Sequence, residues 1–354
     1  FKGIDQIAES DSSLAIYDTT VSGHQYAGLT IEIGSLNLQR SRVTGGDQAG
    51  IVISQSATAS IVDTTVADNQ GSGIDNSGNL ILSRSTLSGN FDSGLVNKAS
   101  GDAEITNVTI SGNSARAAGG GGIRNVGKVN MQYSTVTDNT VERIEVIQNP
   151  QNDHYYFLLP KTEWNDELIW ESESNAAMYS GNLVTINNAE ENQWVVDTFA
   201  SKLRYGVGII GLGLNDIESE GDWVWTSGQP ATYFNWDENN SHHQDDDITG
   251  MVIGMPDFAE QGKWHDFNSR ENDNIPNLKP YVLVESEQLP EMAGGIFNAN
   301  GSSFIIGSSI IAENRGIQWN DVAGAFSSTG GNLVGENLNS PGFTDTVIVD
   351  LVGS

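Results

Sequence analysis

Six stretches of the chain share one alternation of apolar and polar positions: SLAIYDTTVSG (13–23), SLNLQRSRVTG (35–45), ASIVDTTVADN (59–69), LILSRSTLSGN (80–90), AEITNVTISGN (103–113) and VNMQYSTVTDN (129–139). Alternation over four or five positions, closed by Gly, Asn or Asp, is the pattern of a short strand bounded by turns. The apolar residue before each turn falls at Val21, Val43, Val66, Leu87, Ile110 and Val136, giving spacings of 22, 23, 21, 23 and 26 residues. A Gly-aliphatic pair recurs with the repeat, at Gly28-Leu29, Gly50-Ile51, Gly73-Ile74, Gly94-Leu95 and Gly122-Ile123. Two or three short strands per period of roughly 22 residues make one coil of a solenoid. A single coil cannot bury its aliphatic face, so coils must stack and their inward Val, Ile and Leu form a ladder. The pattern predicts a mainly β chain built on a right-handed parallel β-helix. A leucine-rich repeat has a similar period but needs a denser leucine pattern and an asparagine at a fixed place, and neither is read here.

The repeat is interrupted once. After TVTDN (135–139) the Gly-aliphatic pair does not arrive until Gly295-Ile296, and the unit then resumes as SFIIGSSIIAEN (303–314), followed by Gly316-Ile317. Roughly 150 residues are therefore inserted in one inter-strand loop, a place where both ends of an insertion already lie close together. The expected organisation is N-terminal coils over 1–143, an inserted domain over 144–289 and C-terminal coils over 290–354. The closing segment, 330–354, resembles the β-helix units of long bacterial extracellular repeat proteins. Neither end reads as a finished polar cap, which predicts either further chain or stacking of open coils on other copies.

Composition narrows the choice of partners. Sixteen basic against 46 acidic residues give a formal net charge of −30, which disfavours phosphate backbones and anionic membrane surfaces and favours cations. With no cysteine there is no disulfide, thiolate nucleophile or Cys-ligated zinc. No apolar run approaches the roughly 18 residues of a membrane span, and Phe1 does not open a signal-like segment. An acidic, cysteine-free solenoid suits an extracellular or cell-surface setting.

The inserted stretch differs in composition, holding seven of the eight tryptophans. Helical periodicity is found at about 171–180 and 189–202, either side of the strand-like LVTI (183–186). Asn188 is placed to cap the second helix, with Glu190 and Glu191 in its first turn. The segments Trp170, GNLVTI (181–186), AEENQWVVDTF (189–199), GIIGLGLND (208–216), EGDWVW (220–225), GQPATYFNW (228–236), GKWHD (262–266) and YVLVE (281–285) keep a definite order and spacing. In that order they resemble the C-type lectin fold over about 130 residues. The family usually carries disulfides, and Ile248, Ser269 and Val284 stand at those positions here.

The resemblance implies a long loop ordered by calcium, a hard cation that takes six to eight oxygens at about 2.3–2.6 Å. Carried over residue by residue, a first calcium site draws on Asp216, Glu220, Asp246 and Asp247, with Asp245 substituting for a family ligand at Ser241. The family's second site, which holds calcium and sugar together, maps onto Glu238-Asn239-Asn240 and Trp264-His265-Asp266. Its ligand set here is Glu238, Asn240, Asp246, His265 and Asp266. Two departures stand out: Asn239 replaces the family's proline, and His265 replaces an asparagine oxygen with imidazole, a donor calcium seldom takes. His242, His243 and His265 raise a zinc alternative. Trp223, Trp225 and Trp264 read as core, while Trp236 reads equally as core or ligand platform.

Three functional classes follow. The first is an adhesin-like binding protein, a β-helical stalk presenting a calcium-dependent lectin-like domain to a glycan or protein. The second is a structural subunit of an extracellular filament or sheath, self-associating through β-helix ends. The third, an enzyme, needs a basic residue near calcium for lyase chemistry or a spaced carboxylate pair for hydrolysis. Arg40, Arg42, Arg84, Arg116 and Arg124 are scattered singly and paired Asp motifs are absent from the coils, so the chain is expected not to be an enzyme.

Overall fold

The apolar residues that recur at the repeat period stack in register. Val21, Val43, Val66, Leu87, Ile110, Val136, Ile311 and Val334 are successive partners in parallel pairing. From Val43 onward every member of that column is fully buried. The aliphatic residues of the Gly-aliphatic pairs make a second column, Leu29, Ile51, Ile74, Leu95, Ile123 and Ile296, and Val322, which follows Asp321 and not the glycine of Gly316-Ile317, continues it as the partner of Ile296. A third runs through Leu38, Ile61, Leu82, Ile105, Met131 and Ile306. One hydrophobic core gathers all three, with each buried aliphatic side chain contributing about 1.5–3 kcal/mol. The result is a parallel β-solenoid, as the repeat predicts. A computed structural model describes residues 4–6, 12–115, 119–141, 144–159, 176, 181–203, 206–238, 248–267, 281–288, 293–316, 320–336, 340–343 and 351–352 of the chain.

Polar residues close the coil corners, and here the structure adds what the alternation does not reveal. The asparagine three residues beyond each inward apolar residue is buried and stacked, not solvated. Asn69 donates to Asn90 (2.9 Å), Asn90 to Asn113 (2.8 Å), Asn113 to Asn139 (2.8 Å) and Asn139 to Asn314 (2.9 Å), and the Asn314 amide donates to the Asp321 carboxylate (2.8 Å). A fixed asparagine therefore does recur in the repeat, as a ladder inside a β-helix. In the second coil the position is Gly46, and the buried ring of His24 fills the space a side chain would take there.

A second ladder, Asn76, Asn97, Asn125 and Asn298, begins one column away. It explains a change in strand length. Leu29–Gln39 and Ile51–Val62 each run unbroken, whereas the next coil divides into Ile74–Asn76 and Asn79–Ser83. The register partners of Asn76 in the unbroken strands are Ile53 and, before it, Ile31. Asn76 accepts a hydrogen bond from Gly78 N (3.2 Å), and that local bond turns the chain.

The solenoid is continuous across the interruption. Ile123 pairs with Ile296, Val129 with Phe304 and Val136 with Ile311. The chain divides into two units, one of Phe1–Arg143 with Glu291–Ser354, the other of Ile144–Pro290. Within the second unit the labelled strands are β1 (Tyr155–Leu158), β2 (Gly208–Asn215), β3 (Ile248–Ile253), β4 (Trp264–Phe267) and β5 (Tyr281–Ser286), with helix α1 over Ala189–Phe199. They form a mostly antiparallel sheet in the order β1-β5-β2-β3-β4. Asn188 caps α1 by accepting from Glu191 N (2.8 Å). Helix ends at Phe199 and tightens into a 3-10 turn over Ala200–Lys202. The strand read over 183–186 is shorter, Asn182–Leu183. Of the helix expected at 171–180 only Ala176 lies within the described residues, and it is helical.

Candidate functional site

Trp264 organises the loop side of the inserted unit. It is fully buried on β4, its indole N–H donates to Asn192 Oδ1 (2.8 Å), and Trp225, Tyr233 and Trp236 meet it edge-on. Trp225 is likewise core, whereas Trp223 and Trp236 are half-buried and pack on each other at 4.8 Å. Backbone bonds from Trp264 N to Asn235 O and from Asp237 N to Trp264 O, both 2.9 Å, fasten residues 235–237 along β4.

That fastening brings Asp237 to His265. Both are buried, with Asp237 Oδ1 3.8 Å from His265 Nε2, and Asp237 Oδ2 accepts from Glu260 N (3.3 Å). The imidazole lies between Phe258 (4.6 Å) and Phe267 (6.2 Å). Neighbours on a strand leave by opposite faces, so Asp266 faces away from this aromatic slot, beside its cross-strand partner Thr249. Asp266 is buried, and the buried Thr249 hydroxyl has no hydrogen-bond partner among the described residues. Asp237, which the residue-by-residue mapping passed over, is thus the described carboxylate next to His265, while Glu238 beside it is exposed.

At the end of β2 the chain turns around Asp216. Its carboxylate is buried and accepts from Gly221 N (2.8 Å), and Ser219 N donates to Asp216 O (3.0 Å). Gly221, at φ 79°, takes the left-handed conformation that closes the turn. Glu220 stands exposed on the same turn. The residue before Asp216, Asn215, is the register partner of Ile248, the first residue of β3. Asn240, Asp245, Asp246 and Asp247, with His242 and His243, lie outside the described residues. Among the described residues no group of three or more His, Asp or Glu is gathered to hold a metal. The chemistry at Asp216 fits calcium, being oxygen only. The aromatic packing of His265 does not favour it as a calcium ligand.

A second cluster, unread in the sequence, joins β1, α1 and β5. Tyr156 Oη donates within reach of Glu191 Oε1 (2.7 Å) and Glu285 Oε1 (3.0 Å), and His154 Nδ1 lies 2.7 Å from Glu285 Oε1. Asn152 Nδ2 donates to Glu191 Oε1 (3.0 Å), Asn187 N to Glu191 Oε2 (2.8 Å) and Thr185 N to Glu285 Oε2 (2.9 Å). Burial pushes the Glu191 carboxyl above its ordinary range despite the hydrogen bonds from Asn187 and Tyr156. Burial and the two carboxylates likewise raise the Tyr156 phenol. Glu191 is a helix first-turn acid in sequence; its burial comes from partners distant along the chain.

In the solenoid, Arg40, Arg42 and Arg84 pair with Asp18, Asp68 and Asp63 of neighbouring coils, all on the exposed surface. Coil stacking also brings Asp75 and Arg124 into electrostatic range of Asp92, whose carboxyl is raised by burial. Arg116 lies outside the described residues.

Two family descriptions match the chain: a right handed beta helix region over residues 3–152 and a lectin C-type domain over residues 167–275. Among similar proteins, a perlucin-like protein of Mytilus galloprovincialis is 32% identical over 95 residues, covering 26% of this chain and 57% of that protein. Lectin BRA-3 of Megabalanus rosa is 26% identical over 128 residues, covering 36% of this chain and 72% of that protein. The chain thus spans little more than half of the first of these relatives. A solved mouse scavenger receptor C-type lectin carbohydrate-recognition domain aligns over 38% of this chain and 92% of its own, with 25% identity and a TM-score of 0.29.

Proposed function

We propose, for a chain that joins a right-handed β-helix region to a C-type lectin domain, an extracellular or cell-surface binding protein of the adhesin kind whose lectin domain takes a glycan or protein ligand with calcium ordering its long loop. The lectin domain and its lectin relatives point to carbohydrate binding and away from catalysis.

The observation that carries the calcium part of the reading is a strand register. Ile248 follows the acidic triplet Asp245, Asp246 and Asp247 directly in the chain, and its partner Asn215 directly precedes the buried Asp216. Residues one apart in sequence lie about 3.8 Å apart at Cα, so the chain connection alone ties the triplet to Ile248, whose partner Asn215 is tied in the same way to Asp216. With Glu220 on the same turn, carboxylates then supply a hard cation's oxygens. Glu238, Asn240, Asp246 and Asp266 make the reduced second set, without His265. Bound calcium would neutralise the triplet and hold the loop for its ligand.

Heat denaturation under calcium titration tests this reading, since a ligand of the folded state alone raises the midpoint with its concentration. The midpoint rises at millimolar calcium in the wild type and stays flat in Asp216→Ala. Glycan-array binding that disappears on chelation supports the recognition step. A flat titration in the wild type sinks the calcium reading, and calcium-independent fibres in its place favour a structural subunit.

A further inference from the structure

The cluster of Tyr156, Glu191, Glu285 and His154 has more close acidic oxygens than its phenol can serve. Tyr156 and Glu285 are register partners on β1 and β5, and Glu191 reaches them from the first turn of α1. Tyr156 Oη lies 2.7 Å from Glu191 Oε1 and 3.0 Å from Glu285 Oε1, and it accepts from Asn152 Nδ2 (2.8 Å). A phenol has one proton to give. With both carboxyls ionised, one of the two oxygen–oxygen contacts carries no hydrogen and sets a charged acceptor against a lone pair. Tyr156, Glu191 and Glu285 are all buried, where such a mismatch is costly.

One added proton satisfies every contact. Placed on Glu191 Oε1, it is donated to Tyr156 Oη, and the phenol proton then serves Glu285 Oε1. The same Glu285 oxygen meets His154 Nδ1 (2.7 Å), and Glu285 Oε2 accepts from Thr185 N (2.9 Å). Glu191 is held by the neutral donors Asn152 Nδ2 (3.0 Å) and Asn187 N (2.8 Å), so the carboxylate beside the imidazole keeps the charge and Glu191 keeps the proton. Burial acts on Glu191 in the same direction, raising its carboxyl. The titratable groups that face Glu191 are Tyr156 and His154 from the β1 side and Glu285 from β5, while its helix neighbour Glu190 is exposed. Glu191 and His154 also line a cavity of about 140 Å³, against roughly 10–15 Å³ for one water, which leaves room for water beside the cluster.

We propose that these four residues form a proton-linked latch, in which a proton held between Glu191 and Glu285 through Tyr156 locks β1, β5 and the start of α1 together. Losing it leaves two carboxylates facing one phenol, and the latch loosens. What it holds is local: Thr185 N and Asn187 N, the backbone donors to the two carboxyls, anchor the segment that leads into α1. A carboxyl whose folded value is raised stabilises the fold fully below its unfolded value and loses that contribution as pH rises through the folded one. The latch is therefore made by acid and released toward alkaline pH. It shares no residue with the Asp216 turn and is independent of the calcium reading.

Isotope-edited infrared spectroscopy of the full chain, labelled with ¹³C-glutamate and kept in EDTA, reads the proton directly, because a neutral carboxyl and a carboxylate absorb separately. At about pH 6 an ordinary glutamate is almost wholly ionised, and the wild type keeps one neutral glutamate carboxyl. Glu191→Gln removes that band. Glu285→Gln removes it as well: the amide sets a donor where Oε1 stood, the phenol proton turns to Glu191, and no second proton is required. Burial of Glu191 alone would leave the band in place in Glu285→Gln. Amide exchange at Thr185 and Asn187, corrected for its intrinsic rise with pH, speeds up tenfold or more as the wild-type band disappears, and does not in Glu191→Gln. Near-ultraviolet circular dichroism shows that both variants keep the aromatic packing. The proposal is overturned if the wild type has no neutral glutamate carboxyl at pH 6, a result that needs no variant, or if the band survives in either variant. Exchange that does not follow the band overturns the latch even where the proton is found.

Discussion

Asn113 sits mid-ladder, and replacing it with alanine measures what the ladder contributes. Its side-chain oxygen accepts from Asn90 N (3.1 Å) and Asn90 Nδ2 (2.8 Å), while its amide nitrogen donates to Leu87 O (3.1 Å) and Asn139 Oδ1 (2.8 Å). At about 1 kcal/mol net for each of the four, the loss is about 4 kcal/mol. The sum does not fall much below this, because the site is fully buried and water cannot replace the lost partners. Nor does it spread far, since a solenoid couples each coil chiefly to its neighbours. Urea denaturation followed by far-ultraviolet circular dichroism gives the global value, and amide exchange at Asn90 and Asn139 locates it. Asn37→Ala, on a half-exposed outward position, is the control and shifts stability by less than about 0.5 kcal/mol. A loss below about 1 kcal/mol for Asn113→Ala, or equal losses at the two sites, would refute the ladder as a stabilising element.

Gly46→Ala places a methyl group where the His24 ring lies, costing about 1–3 kcal/mol by overpacking; His24→Ala in the same chain recovers most of it, as a double-mutant cycle in urea will read. The Glu191 carboxyl is raised from 4.5, so between about pH 4.5 and its folded value the native state binds a proton the unfolded chain has released. Stability therefore falls as pH rises through that window, and the slope of melting midpoint against pH flattens in Glu191→Gln. Trp264→Phe removes the donor to buried Asn192 Oδ1 and costs about 2 kcal/mol in urea, with loss of near-ultraviolet circular dichroism from the aromatic cluster around it.

The solenoid was legible because its signal is local and repeated: an inward aliphatic residue must return once per coil, whatever the coil's neighbours are. Asn69, Asn90, Asn113, Asn139 and Asn314 were visible in the same strings, yet in a single string an asparagine directly after glycine or an acidic residue reads as a turn former. Its burial is decided by the coil above and the coil below. The same holds for Glu191, which follows an N-cap and so reads as a solvated first-turn acid, while Tyr156 and Glu285 that bury it come from β1 and β5. Asp216 and Trp264 were found through ordered motifs. Asp237 was not, because only the backbone pairing of residues 235–237 with β4 turns it toward His265.

Continuity of the coils across the insertion bears on the order in which the chain assembles. Between Thr65–Ala67 and Ile74–Asn76 the linking segment is six residues, 68–73, whereas between Thr135–Thr137 and Ile296–Asn298 it is 158, 138–295. Closure entropy grows by about 0.6 kcal/mol per doubling, so closing the longer segment as flexible chain costs about 3 kcal/mol more. That penalty shrinks once the inserted unit has folded and its ends are near each other. During synthesis the N-terminal coils emerge first and the inserted unit next, so each can be complete before Ile296 arrives to pair with Ile123. The final coils then add onto a finished edge, making the β-helix a template whose growth pauses for one domain and resumes in register.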